Sequence, residues 1–538
     1  MMMMMMRVLL AAYDVGMMYF LYRFLALRWS EPSISALCVC ETVVLLYGYI
    51  NLVFLTTGLL KGSEQAPVGN DDEDFFHRPI EVCLFIPVYH EPLALIKEMA
   101  DAVVDLTTGG LFGDVKLTIC IGDDGNSDEL EELVERCYPY IRYERRSHVQ
   151  GQAKAGNLNN LLKSTEALYT ERERERFVLV LDSDMVPQHD IMAPLLQTYF
   201  RAKDDKVAFV QSPQGFTTFR GMRDVMGQSY YYFYRVVLRA WNGYGQGVPC
   251  CGTNVLFSRR ALESIGGFQY GSITEDFNTS MVLHSRGYKS CYYHETVLAK
   301  GMSPMTLGDF FQQRLRWSLG GLQVLSRPGF WSDFRGLSPL FKYIYLTSLL
   351  SPLIYVCIAY LVLLPPLQGV VPAFSPIVSI TPRDYLGTFV AYIGAYMLQY
   401  IAMCLYCRVP WYAIVTSFQE TVFIAPLQLY SLCAWGWSHT SHLLCCKNVS
   451  TRFIRTNKSI TSVSQFSWSS VCWVLPFIGY VLGATWRLAA KGVHPWADTA
   501  WILFALFQVY PPLIFFFLSL CLLSPSYDIS RENQECDV

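Results

Sequence analysis

Apolar and polar positions divide the chain into three blocks. Two apolar runs, Val8 to Leu27 and Ala36 to Leu60, open it; a charged stretch follows from about Lys61 to Leu337; long apolar runs then return. Each opening run is long enough to cross a ~30 Å hydrocarbon core at about 1.5 Å per helical residue. Together they predict a transmembrane hairpin over residues 1–60. After the middle block, Phe341 to Leu367, Tyr385 to Cys407, Trp468 to Trp486 and Thr499 to Leu523 predict further spans, six in all. Val409 to Trp437 is also apolar, but Gln419 and Glu420 within it favour a helix lying in the interface. Asp14 falls near the end of the first run, where it is expected to reach the interface, and it takes no role.

The middle block alternates strand-like and helix-like segments. Val82 to Pro87 reads as a buried strand and the amphipathic stretch Leu93 to Leu106 as the helix after it. Leu117 to Gly122, Phe177 to Leu181 and Val207 to Gln211 read as three more strands. Strands separated by helices predict a mainly parallel sheet, which binds ligands at the carboxyl ends of its strands. Two acidic pairs sit at such ends, Asp123-Asp124-Gly125 and Asp182-Ser183-Asp184. Gly221 to Ala240, rich in tyrosine with scattered arginine, and Thr306 to Leu322 predict helices lying at a membrane surface. The polar stretch Gly62 to Asp74 predicts a linker.

Composition supports the membrane reading: 538 residues, 52% hydrophobic, with a mean hydropathy of +0.25, are too apolar for an ordinary soluble protein. Six spans put both termini and the middle block on one side. Arg408, Lys447, Arg452, Arg455 and Lys458 lie on that side, against Arg383 in the short loop after Leu367, so the positive-inside rule makes it cytosolic. Arg487 and Lys491 on the other side are a partial counterweight. The expected location is the plasma membrane. A net charge of -3 and no basic tract interleaved with aromatics suggest no nucleic-acid partner. The seventeen cysteines show no paired metal-ligand spacing; Cys404 and Cys407 form a lone CxxC, and all are expected to be reduced and to serve packing. The six opening methionines lead through Arg7 into an apolar run without a small-residue cleavage site, which favours a retained span over a removed signal peptide.

Candidate chemistry rests on the carboxylates. Asp182 and Asp184 offer hard oxygen ligands for Mg²⁺ or Mn²⁺ against a diphosphate. Taken alone, that DxD reads more readily as a solvated loop, and Asp123-Asp124-Gly125 as a turn. Further motifs follow in order: Gln152-Ala153-Lys154-Ala155-Gly156-Asn157-Leu158-Asn159-Asn160, Thr274-Glu275-Asp276, and Gln313-Arg314-Leu315-Arg316-Trp317. With Ile86 to Pro92, Val210 to Gln214 and Cys251-Gly252-Thr253, they make the chain from Phe75 to about Ser459 closely resemble the processive membrane glycosyltransferases of the cellulose synthase type, in glycosyltransferase family two.

The resemblance implies an α/β GT-A domain with a mixed sheet over residues 61–338, inserted in an α-helical transmembrane domain of about six spans plus interfacial helices, its C-terminal part at 339–538. It implies a nucleotide sugar as substrate. Asp124 and the segment Pro87, Tyr89 and Glu91 would hold the uridine, Lys154 the diphosphate, and Asp182 and Asp184 the nucleotide and its metal. Asp276 matches the general base of an inverting displacement, with Glu275, Cys251 and Gly252 also lining the substrate site. Gln313 and Arg316 would contact the pyrophosphate and Trp317 would stack on the terminal sugar; outside this motif, Trp317 reads equally as a membrane-interface anchor.

Phe453-Ile454-Arg455-Thr456-Asn457-Lys458, within 451–459, fits the family's FxVTxK gating loop except that Arg455 replaces Val. Thr456 and Lys458 would touch the diphosphate, and a basic segment against anionic lipid is the alternative. Thr274-Glu275-Asp276 resembles the glucan-making branch, which favours a UDP-glucose donor and a growing β-glucan acceptor, cellulose first. β-1,3 or mixed-linkage glucan, chitin and hyaluronan stay open. So do a nonprocessive lipid glycosyltransferase, opposed by QxxRW and the spans after it, and a nonenzymatic membrane scaffold, opposed by the intact acidic set. About fifteen residues follow Leu523, so no cyclic-di-GMP-binding domain is expected. Accessory subunits and a homo-oligomer are left open.

Overall fold

The alternation of apolar strand and amphipathic helix from Ile80 to Tyr292 builds a seven-stranded sheet. The computed structural model describes residues 2–28, 36–64, 78–108, 114–146, 153–166, 174–187, 191–216, 229–304, 307–367 and 382–445, with scattered positions between 475 and 507. In chain order the strands are β1 (Ile80–Val88), β2 (Val115–Asp123), β3 (Ile141–Arg145), β4 (Glu175–Val180), β5 (Val186–Pro187), β6 (Val207–Gln211), β7 (Gln214–Phe216), β8 (Val255–Ser258), β9 (Lys289–Tyr292) and β10 (Ala299–Gly301). The large sheet has the order β3-β2-β1-β4-β8-β6-β9, and β5-β10-β7 form a small second sheet.

β1 is apolar along nearly its whole length because both of its faces are covered. Val82, Leu84 and Ile86 cluster with Ile96, Met99 and Val103 of the helix Leu93–Thr108, while Cys83 and Phe85 cluster with Leu158 and Leu161 of the helix Ala153–Ser164. The four strands expected from the sequence are present. β3, β2, β1 and β4 run parallel, but β8 is antiparallel to both β4 and β6, so the sheet is mixed. Ile141–Arg145 is a largely polar edge strand and Val255–Ser258 has only four residues, so neither gives a periodic signal.

The first two expected runs are the helices Met2–Arg28 and Ala36–Glu64. The Tyr49 hydroxyl donates to Asp14 Oδ1 at 2.9 Å. Asp14 thus has a hydrogen-bond partner on the adjacent helix. Ala36–Glu64 also docks on the segment around Ala240 and Gly243. A Cβ on Gly58 would lie 2.1 Å from the Ala240 carbonyl oxygen, and one on Gly243 would lie 2.0 Å from that of Gly58, so the two backbones touch only because both residues lack side chains.

Two long helices expected from hydropathy are broken. Phe341 to Leu367 falls in Pro339–Leu349 and Ser351–Leu367, and Val409 to Trp437 falls in Trp411–Phe423 and Ala425–Cys445. In both cases a proline, Pro352 or Pro426, follows the break and cannot donate to the preceding turn. Of the expected surface helices, Thr306 to Leu322 appears as Leu307–Ser326, and Gly221 to Ala240 is described from Ser229 onward, with a π-helical segment at Phe233–Leu238. Among the described residues, Val43–Gly62 is long and apolar enough to cross a membrane alone, and Pro339–Leu349 with Ser351–Ala359 qualifies as a pair bent by 51°. Trp468 to Trp486 and Thr499 to Leu523 lie mostly outside the described residues, as does most of the Gly62 to Asp74 linker. The described cysteines are free thiols.

Candidate active site

Three strand ends meet one helix start. At the end of β2, Asp123 is spent on local geometry: its carboxylate accepts from the Gly125 and Ser127 amides at 2.7 and 2.8 Å and from the Tyr143 hydroxyl at 2.6 Å. Asp124 is instead engaged by a side chain from beyond the strand. Both of its oxygens accept from Arg146, at 2.7 and 2.5 Å, in a bidentate pair less than a tenth exposed. Burial nevertheless holds the Asp124 carboxyl above the usual range, against the pull of Arg146. The expected uridine residues lie alongside. Pro87 is in register with Gly122, and the Tyr89 amide donates to Glu91 Oε2 at 2.5 Å.

At the end of β4 the DxD forms a tight turn, with the Met185 amide donating to the Asp182 carbonyl at 2.9 Å and the Asp182 amide to Thr253 Oγ1 at 2.9 Å. Asp182 keeps a third of its side chain exposed while Asp184 is buried, so this is a built turn and not a solvated loop. At the end of β6, buried Gln211 donates to the Thr253 carbonyl at 2.8 Å and accepts from the Cys251 amide at 2.8 Å. Gln211 thereby staples the Cys251-Gly252-Thr253 loop to the sheet.

That loop presses on the base candidate. Gly252 has φ +85°, and a Cβ there would lie 2.7 Å from Asp276 Oδ2, so glycine is required by both conformation and space. Asp276 lies in the first turn of the helix Glu275–Ser285. Burial, then the neighbouring Glu275 carboxylate, push its pKa up to about 7 against the opposing charge of Lys154. Lys154 Nζ lies 2.6 Å from Asp182 Oδ1, 2.7 Å from the Gly252 carbonyl oxygen and 3.6 Å from Glu275 Oε1. Burial opposes its charge, but Asp182 and Glu275 outweigh it and hold the amine above the ordinary lysine range. The residue expected on the diphosphate is thus also the joint between the two acidic motifs. Four left-handed residues that are not glycine, His90, Asn126, Ala153 and Asn254, border the same site, as strained backbone often does where function fixes it.

The motif helix Leu307–Ser326 docks on the loop before Thr274: Ser272 Oγ donates to the Gly320 carbonyl and the Ile273 amide to Gln323 Oε1, each at 2.9 Å. Gln313 Oε1 accepts from the Tyr230 hydroxyl at 2.9 Å. Trp317 is 39% exposed, with its ring edge-on to Tyr230 at 5.9 Å. Arg316 lies on the same helix. Thr456 and Lys458 lie outside the described residues. Sequence reasoning missed Arg146 and gave Gln211 and Thr253 no role, although both sit inside quoted segments, Val210 to Gln214 and Cys251-Gly252-Thr253.

Among the described residues no group of three or more His, Cys, Asp or Glu could hold a metal by itself. Asp182 and Asp184 supply two carboxylates, which fits a divalent ion that takes its remaining ligands from substrate phosphates and water.

Residues 177–523 match glycosyl transferase family group 2, and residues 83–266 match glycosyl transferase family 2. The chain belongs to glycosyl transferase family group 2, with a GT-A-like fold, and is a glycosyltransferase. Within that class it is cellulose-synthase-like. It is 37% identical over 185 residues to a UDP-forming cellulose synthase of Dictyostelium discoideum, covering 34% of this chain and 17% of that one. It is 29% identical over 288 residues to the cellulose synthase catalytic subunit (UDP-forming) of Xanthomonas axonopodis pv. citri, covering 52% and 36%. The corresponding subunit of Komagataeibacter sucrofermentans is 30% identical over 254 residues, covering 45% and 31%. The matches thus span only 17% to 36% of these relatives' lengths. Among solved structures, a mannosyltransferase from Pyrobaculum calidifontis in complex with GDP-Man and Mn2+ has a TM-score of 0.44 at 17% identity, covering 76% of this chain and 99% of that one, too low a likeness to bear on the site.

Proposed function

We propose that this glycosyltransferase transfers glucose from UDP-glucose to the growing end of a β-1,4-glucan, processively and with inversion, and passes the polymer across a membrane in which its apolar helices are embedded. The observation that carries this reading is the half-buried Asp276 carboxylate, held against Gly252 with its pKa pushed to about 7. A base so placed can take a proton near neutral pH. The glucan branch is favoured by the Thr274-Glu275-Asp276 motif together with relatives named UDP-forming cellulose synthases. The catalytic domain and both termini lie on the cytosolic side.

In the reaction, the acceptor hydroxyl attacks the anomeric carbon, the bond from that carbon to the UDP oxygen breaks, and the hydroxyl proton passes to Asp276 Oδ. UDP leaves with the bonding electron pair. Lys154, Arg316 and Gln313 stabilise the charge that develops on the diphosphate. Asp182 and Asp184 would hold a divalent ion, Mg²⁺ or Mn²⁺, which would supply further charge neutralisation there. Asp124, fixed by Arg146, orients the nucleoside beside Pro87, Tyr89 and Glu91, and Trp317 supports the terminal sugar. Thr456 and Lys458 would touch the diphosphate.

The test is linkage analysis of the product made by purified protein in lipid from UDP-glucose and Mg²⁺ or Mn²⁺. Insoluble β-1,4-glucan with stoichiometric UDP release is expected. Turnover of UDP-N-acetylglucosamine but not UDP-glucose would overturn the donor, and a product carrying a single added sugar would overturn processivity.

A further inference from the structure

Arg314, the second residue of the Gln313-to-Trp317 motif, has no role in the reading above, yet its side chain is heavily engaged. Its side chain is 6% exposed, and its Nε donates to Glu420 Oε1 at 2.7 Å, on the helix Trp411–Phe423. Nη1 donates to the Tyr230 hydroxyl at 3.1 Å and to Gln313 Oε1 at 3.3 Å. The guanidinium carbon lies 4.5 Å from the centre of the Trp317 ring, 4.7 Å from that of Phe310 and 5.0 Å from that of Tyr230. Phe310 in turn stacks parallel on Phe423, with centroids 5.8 Å apart.

A guanidinium taken out of water needs a counter-charge, and Glu420 supplies it from a helix 106 residues away in the chain. The fork is planar, so bonding Nε to Glu420 and Nη1 to Tyr230 fixes its orientation. In that orientation the cation rests against Trp317, three residues along and on the same helix face. The Tyr230 hydroxyl also donates to Gln313 Oε1, so the network ends on two residues that face substrate. A pair that only fastened two helices together would have no reason to terminate there.

We propose that Arg314 and Glu420 are positioning residues for the acceptor: their buried ion pair sets the plane of Trp317, and so the place where the terminal sugar hydroxyl meets Asp276. This rests on the reading of Trp317 as the acceptor platform. It also gives the C-terminal helical region a hold on transfer, because Gln419, next to Glu420, donates to the Phe507 carbonyl at 2.9 Å.

The test uses the full chain in lipid nanodiscs with UDP-glucose, comparing Glu420→Gln, Glu420→Asp and Arg314→Lys with wild type. In Glu420→Gln the KM for UDP-glucose should stay within about threefold, while the share of donor hydrolysed by water to glucose and UDP rises on the order of tenfold and the chains shorten. Glu420→Asp keeps the charge and should recover part of both. A pair that only supports the fold would lower the amount of active enzyme and leave the hydrolysis-to-transfer ratio and chain length unchanged, which overturns the proposal. A second readout needs no donor: with 5-fluorotryptophan incorporated, the fluorine resonance that Trp317→Phe removes should shift in Glu420→Gln and move back in Glu420→Asp. An unmoved resonance in folded protein also overturns it. If Glu420→Gln does not fold, Glu420→Asp and Arg314→Lys decide by the same two readouts. If wild type makes no glucan from UDP-glucose, the functional reading fails while the fluorine signal still tests the pair.

Discussion

Lys154 Nζ donates at 2.6 Å to Asp182 Oδ1. One ammonium thus joins the motif at the end of β4 to the helix that begins with Glu275 and Asp276, and its charge is held in place by the carboxylates it neutralises. The site is therefore one electrostatic unit, and changes to its members should not act independently.

Lys154→Met keeps the chain length and removes the charge. Asp182, Glu275 and Asp276 then repel one another with nothing between them, and the diphosphate loses a cation. UDP release at saturating metal should fall ~10²- to 10³-fold. Turnover within about threefold of wild type would remove Lys154 from the mechanism.

Asp276→Asn keeps the shape of the side chain but cannot accept the proton. Polymer synthesis should drop ~10²- to 10⁴-fold while UDP binding, measured by calorimetry, stays near wild type. In wild type the base acts when unprotonated, so kcat/KM should rise with pH up to about 7 and level off above it, following the raised Asp276 pKa. A profile flat from pH 5 to 9, roughly, would disconnect Asp276 from the rate.

The same shift has a cost in stability. In the unfolded chain an aspartate titrates near ~3.9, and in the folded one Asp276 titrates at about 7. Between these values the folded state binds more protons, so stability falls as pH rises through that window, and the penalty is complete above it. Asp276→Asn should therefore raise Tm relative to wild type at pH ~8, with the gap closing toward pH ~4. Thermal unfolding at both values is the check, and an equal gap at both would count against the raised pKa.

Arg146→Met should leave Asp124 buried without its counter-charge. Removing one partner of such a pair typically destabilises by ~3–5 kcal/mol. The donor KM should rise as well, because Asp124 loses the fork that orients it. Adding Asp124→Asn to Arg146→Met should restore part of the stability but not the KM, which a double-mutant cycle of Tm and KM would measure.

Asp184→Ala removes a carboxylate from the DxD turn. The concentration of Mn²⁺ that half-restores UDP binding after chelation should rise on the order of tenfold, since a divalent ion bridging to a diphosphate depends on few protein oxygens. Lys458→Ala should lower turnover at saturating donor without moving that midpoint. A shared metal dependence would count against a gating role for Lys458.

The linear order of residues determined the parts list. Apolar runs such as Val82 to Pro87 and Phe177 to Leu181 announce strands because a strand covered on both faces is apolar throughout, a local property. The motifs at their carboxyl ends, and those at Thr274 and Gln313, could be read in sequence because strand ends are where such sheets bind ligands. Tertiary structure decided the partnerships: Arg146 with Asp124 across 22 residues, Gln211 with the Cys251 amide across 40, and Arg314 with Glu420 across 106. Nothing in the local sequence of Glu420 points to Arg314, and in isolation it reads as a polar break in an apolar helix. Only the packed chain removes water from both groups, and only then do a charge and its counter-charge become obliged to meet. The breaks ahead of Pro352 and Pro426 follow the same division: the prolines stand in the sequence, but whether each bends a helix or ends it depends on what the following turn packs against.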